Sequence, residues 1–233
     1  MNALNVAPPV VSSSKSQPPR HRFVWNSRDL RQIKNPAVDL CVWQRGVDQT
    51  LALWLSRIAV DCPLSLDEVV PVGTSISDQL RGLPACLERE ILATEVAGLV
   101  RLYGRLMQVD RVRLQLGAVG TRSCPKFHVD HVEVRMLCTF CGAGTEWIAE
   151  PELHRSRVMR STSTLLPVRK RAHRGVSSGP AARLSPGVSQ LERFDVALLK
   201  GSAYPGNERF GVVHRSPDVC SAEPRWVMVV DAK

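Results

Sequence analysis

From residue 111 to the C-terminus the chain consists of strand-like segments separated by turns, with no helical pattern between them. Residues 111–116 alternate polar and apolar side chains, which is the period of a strand that buries one face. Apolar or β-branched runs follow at 127–140, 194–199, 210–213 and 226–230. Strands that follow one another through turns form antiparallel sheets or barrels. This half of the chain is therefore predicted to be a β-sheet or a β-barrel.

Two helical patterns lie in the first half of the chain. Residues 48–60 place most of their apolar side chains on one helical face, and Asp48 is a suitable N-cap. Residues 87–107 repeat apolar side chains near a period of 3.6 and carry glutamates toward the helix start. A short strand is also predicted at 38–43. We expect a helical N-terminal part, 23–110, ahead of the β-rich part, 111–233.

Two segments are predicted to lie outside the compact fold. Residues 1–22 are rich in Pro and Ser and are predicted to be a disordered tail. Residues 153–191 carry eight Arg or Lys and no acidic residue, and are predicted to be a long basic loop. Residues 1–34 have a net charge of +5 and residues 153–191 of +8, so the rest of a chain whose net charge is +9 is mildly acidic. Neither interleaves aromatic residues with its charges, so nucleic-acid binding is not expected.

The seven cysteines are scattered and odd in number, which favours a reducing compartment over a disulfide framework. No apolar run approaches the length of a membrane span, and no signal-peptide pattern begins the chain. We therefore expect a cytoplasmic protein without a membrane partner. Cys138 and Cys141 form a C-x-x-C pair at the end of a predicted strand, where two small buried side chains are expected rather than a redox pair.

The residues that indicate chemistry are His128, Asp130 and His214. Positions two apart on a strand face the same way, so His128 and Asp130 are predicted to project together. His214 ends a short strand pattern and is the best third ligand. Two imidazoles and one carboxylate form the facial triad of non-haem iron sites, although manganese and zinc accept the same ligands. The three residues are predicted to bind one divalent metal ion and to be its catalytic centre.

The order His128-x-Asp130, then His214, then Arg225 eleven residues later resembles the Fe(II)/2-oxoglutarate oxygenases, such as prolyl hydroxylases. The resemblance covers about residues 111–233. It implies a double-stranded β-helix with Fe(II) on the triad and Arg225 on the distal carboxylate of 2-oxoglutarate, which a guanidinium can bind through two parallel hydrogen bonds. Arg135 and Tyr204 are further candidates for contact with a bound ligand.

A longer set of motifs resembles a narrower family. The string from Cys124 to His131, the segment Cys138–Trp147 and His214-Arg-Ser-Pro are similar to the bacterial family of domain of unknown function 1826, from about Val38 onward. That family brings no established activity. It is associated with zinc homeostasis, which keeps Zn(II) open as the metal.

These observations predict an α+β protein: a double-stranded β-helix, jelly-roll or cupin-like, with N-terminal helices packed on its outside. Residues 23–233 would form one metal-binding domain. The favoured function is a dioxygenase that hydroxylates a small-molecule or peptide substrate, which the sequence does not identify. One alternative is a non-catalytic zinc-binding protein that adds a cysteine to the triad, and another is a metal-free cupin-like binding module.

Overall fold

The computed structural model describes residues 20–61, 64–119, 124–149, 187–207, 211–217 and 225–233. They form a mixed α+β structure of two sheets, two α-helices and a 3₁₀ helix at Ser27–Lys34. The helices are α1 (Gln49–Asp61) and α2 (Leu87–Met107). The strands are β1 (His21–Val24), β2 (Leu40–Trp43), β3 (Ser65–Pro71), β4 (Arg111–Val119), β5 (Val134–Cys141), β6 (Glu146–Ile148), β7 (Val188–Gln190), β8 (Val196–Lys200), β9 (His214–Arg215) and β10 (Arg225–Ala232).

The larger sheet has seven strands in the order β1-β2-β8-β5-β10-β4-β3. The pair β1 and β2 is parallel, and each of the other neighbouring pairs is antiparallel. The smaller sheet has three antiparallel strands in the order β7-β6-β9. The three longest strands, β4, β5 and β10, lie next to one another in the larger sheet.

One face of the larger sheet packs against the helices. Alternate side chains along β10, such as Trp226, Met228 and Val230, enter this core. The helix α2 contributes Leu92, Val96, Leu99, Val100 and Tyr103, which recur on one helical face. The helix α1 begins where Asp48 Oδ1 accepts a hydrogen bond from Leu51 N at 3.0 Å.

The opposite face of the larger sheet is covered in part by the smaller sheet. Leu137 of β5 and Leu199 of β8 pack there against Trp147 of β6 and Val212. On this face the smaller sheet covers strands β2, β8 and β5 of the larger sheet. The neighbouring strands β10, β4 and β3 line a cavity. The predicted site lies beside this cavity.

Both helices begin and end within one residue of the predicted positions. The strand predicted at 38–43 is confirmed as β2, Leu40–Trp43. The larger sheet differs from the expectation, because the N-terminal part adds β1 and β3 to it as well as β2. The expected strand at 127–140 is confined to Val134–Cys141, and His128 forms an isolated bridge ahead of it.

The two segments predicted outside the fold are partly described. The described chain begins at Arg20, and the predicted tail is wrong in its last two residues, 21–22, because they belong to β1. The last part of the predicted basic loop is wrong, because Val188–Gln190 pairs with β6 as a strand. Residues 1–19 and 150–186 lie outside the described ranges. Within those ranges, neither helix has the length and apolar character needed to cross a membrane.

Candidate metal centre

His128 and His214 lie side by side because their backbones pair. Each residue donates its N–H to the carbonyl of the other, at 3.0 Å in both directions, as an isolated antiparallel bridge. Residues paired in this way place their side chains on one face. The two imidazole rings accordingly have centroids 4.6 Å apart. His214 also belongs to β9 and pairs with Trp147 of β6, which fixes the bridge to the smaller sheet.

Asp130 follows in an irregular segment that is held by the chain after β8. Ser202 donates its N–H to the Asp130 carbonyl at 2.9 Å, and Gly201 donates to the Glu133 carbonyl at 2.9 Å. These bonds bring the carboxylate to the two histidines: Asp130 Oδ1 lies 3.5 Å from Nε2 of His128, and Oδ2 lies 3.2 Å from Nε2 of His214.

The other ring nitrogens are fixed by backbone carbonyls. Nδ1 of His128 lies 2.9 Å from the Lys126 carbonyl oxygen, and Nδ1 of His214 lies 3.0 Å from that of Val212. A carbonyl only accepts hydrogen bonds, so each Nδ1 carries the proton and donates it. This leaves both Nε2 lone pairs directed to the space beside Asp130, the arrangement found in histidines that bind metal ions.

Arg135 supports the carboxylate from the sheet. Its Nη1 lies 2.8 Å from Asp130 Oδ2, while Nε and Nη2 bond both carboxylate oxygens of Asp231 at 2.9 and 2.6 Å. Burial alone would raise the pKa of Asp130, but His128, His214 and Arg135 together hold it well below its usual range. The contact with Asp130 in turn raises the pKa of His128, against the effect of burial.

The three residues fit a divalent metal ion. Their ligand atoms all lie within 4.8 Å of one another. Asp130 Oδ2 is buried, and its contacts with Arg135 at 2.8 Å and with Nε2 of His214 at 3.2 Å favour the ionised carboxylate, which is the form that binds a cation. Two imidazoles and one carboxylate suit Fe(II), Mn(II) and Zn(II).

Arg225 begins β10 and is 2% exposed. It donates hydrogen bonds to the Ala143 carbonyl oxygen at 2.7 Å and to the hydroxyls of Thr145, Thr139 and Ser216 at 2.7, 3.3 and 3.2 Å. All of these acceptors are neutral, and no carboxylate in the described structure pairs with the guanidinium. Burial lowers the pKa of Arg225 to about 10, so it remains a buried cation at neutral pH.

His128, His214, Arg135 and Arg225 line one open cavity of about 450 Å³. The turn after β5 shapes its Arg225 end, since Gly142 adopts a φ of 78° and takes the chain into β6. That turn supplies the Ala143 carbonyl and the Thr145 hydroxyl to Arg225. The site therefore combines a metal-ligand cluster with a buried cation that lacks a carboxylate partner.

Other sequence candidates have different positions. The Tyr204 ring lies against the Lys200 ammonium, 4.0 Å from its centroid, and Tyr204 is not among the residues that line the cavity. Arg135 does line the cavity, but its guanidinium is already bonded to two protein carboxylates. His131 is exposed and bonds the Ser202 hydroxyl at 3.0 Å through Nδ1.

The C-x-x-C pair lies in the core on the helix side of the larger sheet and is not among the residues that line the cavity. Cys138 is 1% exposed and Cys141 is 4% exposed. Burial raises the pKa of Cys138 to about 12. A thiol with that pKa is protonated and inert at neutral pH, as the strand-end interpretation of this pair expected.

The sequence analysis missed Thr139, Asp231 and Gly201. Thr139 and Asp231 act through neighbours on other strands, and Gly201 acts through the backbone of the 130–133 segment. Strand alternation in β10 places Arg225 and Asp231 on one face, which was the available signal for Asp231.

The sequence matches, over residues 25–231, the family described as "Protein of unknown function (DUF1826)". The chain belongs to this family. The match covers the metal-ligand cluster, Arg225 and the whole larger sheet except β1 and the last residue of β10. No curated protein matches this family member.

The solved structures similar to this DUF1826 protein include a dioxygenase and a member of the 2OG-Fe(II) oxygenase family. A rice dioxygenase for auxin oxidation is 12% identical, with 88% of this chain and 77% of that chain covered, at a TM-score of 0.41. An oxidoreductase of the 2OG-Fe(II) oxygenase family from Burkholderia pseudomallei is 10% identical, with 91% and 94% covered, at 0.39. A bsmA homolog from Methylobium petroleophilum is 14% identical, with 88% and 92% covered, at 0.38. Since these TM-scores lie below 0.5, we argue the function from the site itself.

Proposed function

We propose that this DUF1826 protein is a non-haem Fe(II)/2-oxoglutarate-dependent dioxygenase whose two sheets form a double-stranded β-helix. The observation that carries the proposal is the buried Arg225, without a carboxylate partner among the described residues, in the same cavity as His128 and His214. A metal-ligand cluster alone suits many functions. A ligand cluster that shares its cavity with an uncompensated cation suits a metal chelator that also carries a distal negative charge.

His128, Asp130 and His214 would hold the metal through two Nε2 atoms and a carboxylate oxygen. The Lys126 and Val212 carbonyls accept from Nδ1 of the two rings, so that each neutral imidazole directs its Nε2 lone pair at the site. Arg135 and Asp231 hold the carboxylate so that it does not rotate away. When bound, Fe(II) supplies the activation of O₂ that is coupled to oxidative decarboxylation of 2-oxoglutarate.

Arg225 would bind the distal carboxylate of 2-oxoglutarate. Ser216 and Thr145 are hydroxyl groups that already contact the guanidinium and would share the same carboxylate. Because Arg225 is buried, a charge-assisted hydrogen bond there is stronger than one in water. The fixed guanidinium would also orient the other end of the cosubstrate toward the histidines.

The charges of the site balance when a divalent metal ion and 2-oxoglutarate are both bound. A divalent cation and Arg225 supply three positive charges, while Asp130 and the two carboxylates of 2-oxoglutarate supply three negative charges. Arg135 is balanced by Asp231 in the same network. Filling the site therefore removes the cost of burying Arg225 without a counter-charge.

A non-catalytic zinc-binding protein remains the second candidate, and one observation favours it. Cys124 is exposed and lines the same cavity as His128 and His214. Thiolate together with imidazole is a ligand set that Zn(II) prefers. This candidate gives Arg225 no role, so Arg225 distinguishes the two functions.

The proposal is tested by titrating 2-oxoglutarate into the Mn(II)-loaded protein by calorimetry. We expect 2-oxoglutarate to bind and its affinity to fall about 10- to 100-fold in Arg225→Met, because that variant loses one or two charge-assisted hydrogen bonds. The control Arg45→Met removes an arginine that pairs with Glu95 away from this cavity, and should bind 2-oxoglutarate as the parent protein does. The zinc function would be favoured if Zn(II) binding requires Cys124 and the affinity for 2-oxoglutarate is the same in Arg225→Met as in the parent protein.

A further inference from the structure

The cavity floor extends beyond the metal ligands and Arg225 across four strands. In the strand register, Leu137 of β5, Val229 of β10, Gln115 of β4 and Asp67 of β3 stand in one row. Side chains in one row across a sheet point to the same face. All four line the cavity.

The adjacent row contains no charged side chain. It contains Thr139 of β5, Val227 of β10, Gly117 of β4 and Ser65 of β3. Val227, Gly117 and Ser65 line the cavity. Between Arg225 at one end and Asp67 at the far strand, the floor is thus formed by valine, leucine, glycine and neutral polar side chains.

The charged side chains on this floor are already paired. Asp67 accepts two bonds from Arg113, at 2.7 and 2.6 Å, and a third from Gln115 at 3.0 Å. Arg135 is bonded to Asp130 and Asp231. Neither residue offers a free counter-charge to a ligand.

Arg215, at the cavity wall, is paired in the same way. Its Nε donates to Glu146 Oε2 at 2.6 Å, and its guanidinium carbon lies 4.4 Å from the centroid of the Phe127 ring. Arg225 is the one lining residue in the described structure that carries a charge without an ionic partner. In the proposed function that charge is neutralised by 2-oxoglutarate.

We infer that the second substrate of this site presents an uncharged, mainly apolar organic group to the metal, lying over Val229, Val227 and Leu137. This inference rests on the proposed function and adds the substrate class to it. A charged group over this floor would lose its hydration without gaining a counter-charge, which is costly. An alkyl or other apolar group would instead gain from removing Val229, which is only partly buried, from water.

The test uses three probes of one chain length: hexanol, hexanoate and hexylamine. Each is added to the protein loaded with Mn(II) and 2-oxoglutarate, and paramagnetic relaxation of the probe's protons by bound Mn(II) is measured. We expect hexanol to be relaxed at concentrations about tenfold lower than either charged probe. The relaxation reports proximity to the metal, so binding elsewhere on the protein is not counted.

Two variants locate the binding surface. Val229→Asp should weaken hexanol about tenfold and make hexylamine the preferred probe, because it places a carboxylate in the floor. Val69→Asp is the matched control: Val69 is 43% exposed on β3 and does not line the cavity, so the probe order should not change. Since Val229 is only partly buried, the substitution leaves the core intact.

The outcomes separate this inference from the proposed function. If Mn(II) and 2-oxoglutarate bind but a charged probe is preferred, or the three probes are equal or none is relaxed, the substrate class is wrong and the dioxygenase proposal stands. If Mn(II) or 2-oxoglutarate does not bind, both fail.

Discussion

Gly201 lies directly against the backbone of Asp130: a Cβ atom at Gly201 would stand 2.6 Å from the Asp130 carbonyl oxygen. It would also stand 2.3 Å from the Val132 carbonyl oxygen. Heavy atoms do not approach this closely, so any side chain at 201 must displace the segment that carries the carboxylate ligand. The position of the metal ligand thus depends on a glycine 71 residues later in the sequence.

Gly201→Ala is therefore expected to impair metal binding as well as stability. Overpacking of this kind costs about 1–3 kcal/mol in the free energy of unfolding. Displacement of Asp130 should weaken Mn(II) binding by about tenfold or more, measured by calorimetry. Gly98→Ala is the control, because nothing lies within 4 Å of its Cβ position inside α2; it should stabilise the protein by about 1 kcal/mol and leave metal affinity unchanged. Equal metal affinity in both variants would contradict the role of Gly201.

Arg135 is expected to act as a positioning residue for Asp130. Arg135→Met removes the ionic contact of 2.8 Å and leaves Asp231 without its partner. Loss of a residue that orients a metal ligand typically costs 10–100-fold in affinity, and we expect Mn(II) affinity to fall within about that range. Arg135→Lys should restore part of the loss, since an ammonium keeps the positive charge but cannot reproduce the two parallel bonds to Asp231. Arg113→Met, which breaks a similar pair with Asp67 on the same sheet, should leave the affinity unchanged.

The metal-free protein should show a characteristic pH dependence of stability. The lowered pKa of Asp130 contributes stability above about pH 4, and this is lost as the pH falls toward the lowered value. The raised pKa of His128 contributes stability below about pH 6.5, and this is lost as the pH rises through the raised value. The advantage of the parent protein over Asp130→Asn should therefore be largest between about pH 4 and pH 6.5.

Urea unfolding of metal-free protein across that range checks this expectation. Asp67→Asn is the matched control, because the pKa of Asp67 is lowered chiefly by its bonds from Arg113, which stays charged at every pH used. The difference in the free energy of unfolding between the parent protein and Asp67→Asn should decrease only as the pH falls through the acid range. An advantage over Asp130→Asn that grows between pH 7 and pH 9 would show that the His128 and Asp130 pair does not titrate as described.

The helices were predictable because their signals are local. The apolar period of α2 and the capping aspartate of α1 are properties of neighbouring residues. Strands β1 and β3 were missed for the opposite reason. Strand β3 buries only Leu66 and Val70, so it lacks alternation, and the four-residue β1 becomes a strand only by pairing with β2.

His128, Asp130 and His214 lie together as predicted, but for a partly different reason, and their binding of a metal ion stays a prediction. Strand alternation was used to place His128 and Asp130 together, whereas the structure joins them through an isolated bridge and a loop held by Ser202. Thr139 could not be found from the sequence, since its contact with Arg225 depends on the register of β5 against β10. For Asp231 the sequence offers only the strand face that it shares with Arg225. Tyr204 was predicted from its position before His214, and the chain directs it to Lys200 instead.

Thiol reactivity provides an independent check of the cavity. Cys124 is exposed and lines the cavity, whereas Cys138 is buried with a pKa raised to about 12. A maleimide followed by peptide mass mapping should label Cys124 within minutes and leave Cys138 unlabelled in the native protein. Bound Mn(II) with 2-oxoglutarate should slow labelling of Cys124. Rapid labelling of Cys138 without denaturant would contradict the described core.

The most direct test of a joint Fe(II) and 2-oxoglutarate site is an anaerobic titration of the metal-stripped protein with Fe(II), with and without 2-oxoglutarate, followed by visible absorption. We expect a weak charge-transfer band that requires both ligands, vanishes in His128→Ala and in Arg225→Ala, and persists in His131→Ala. A metal that binds through His128 without any such band would contradict the dioxygenase proposal and favour the zinc function, and failure to bind any metal would contradict the site itself.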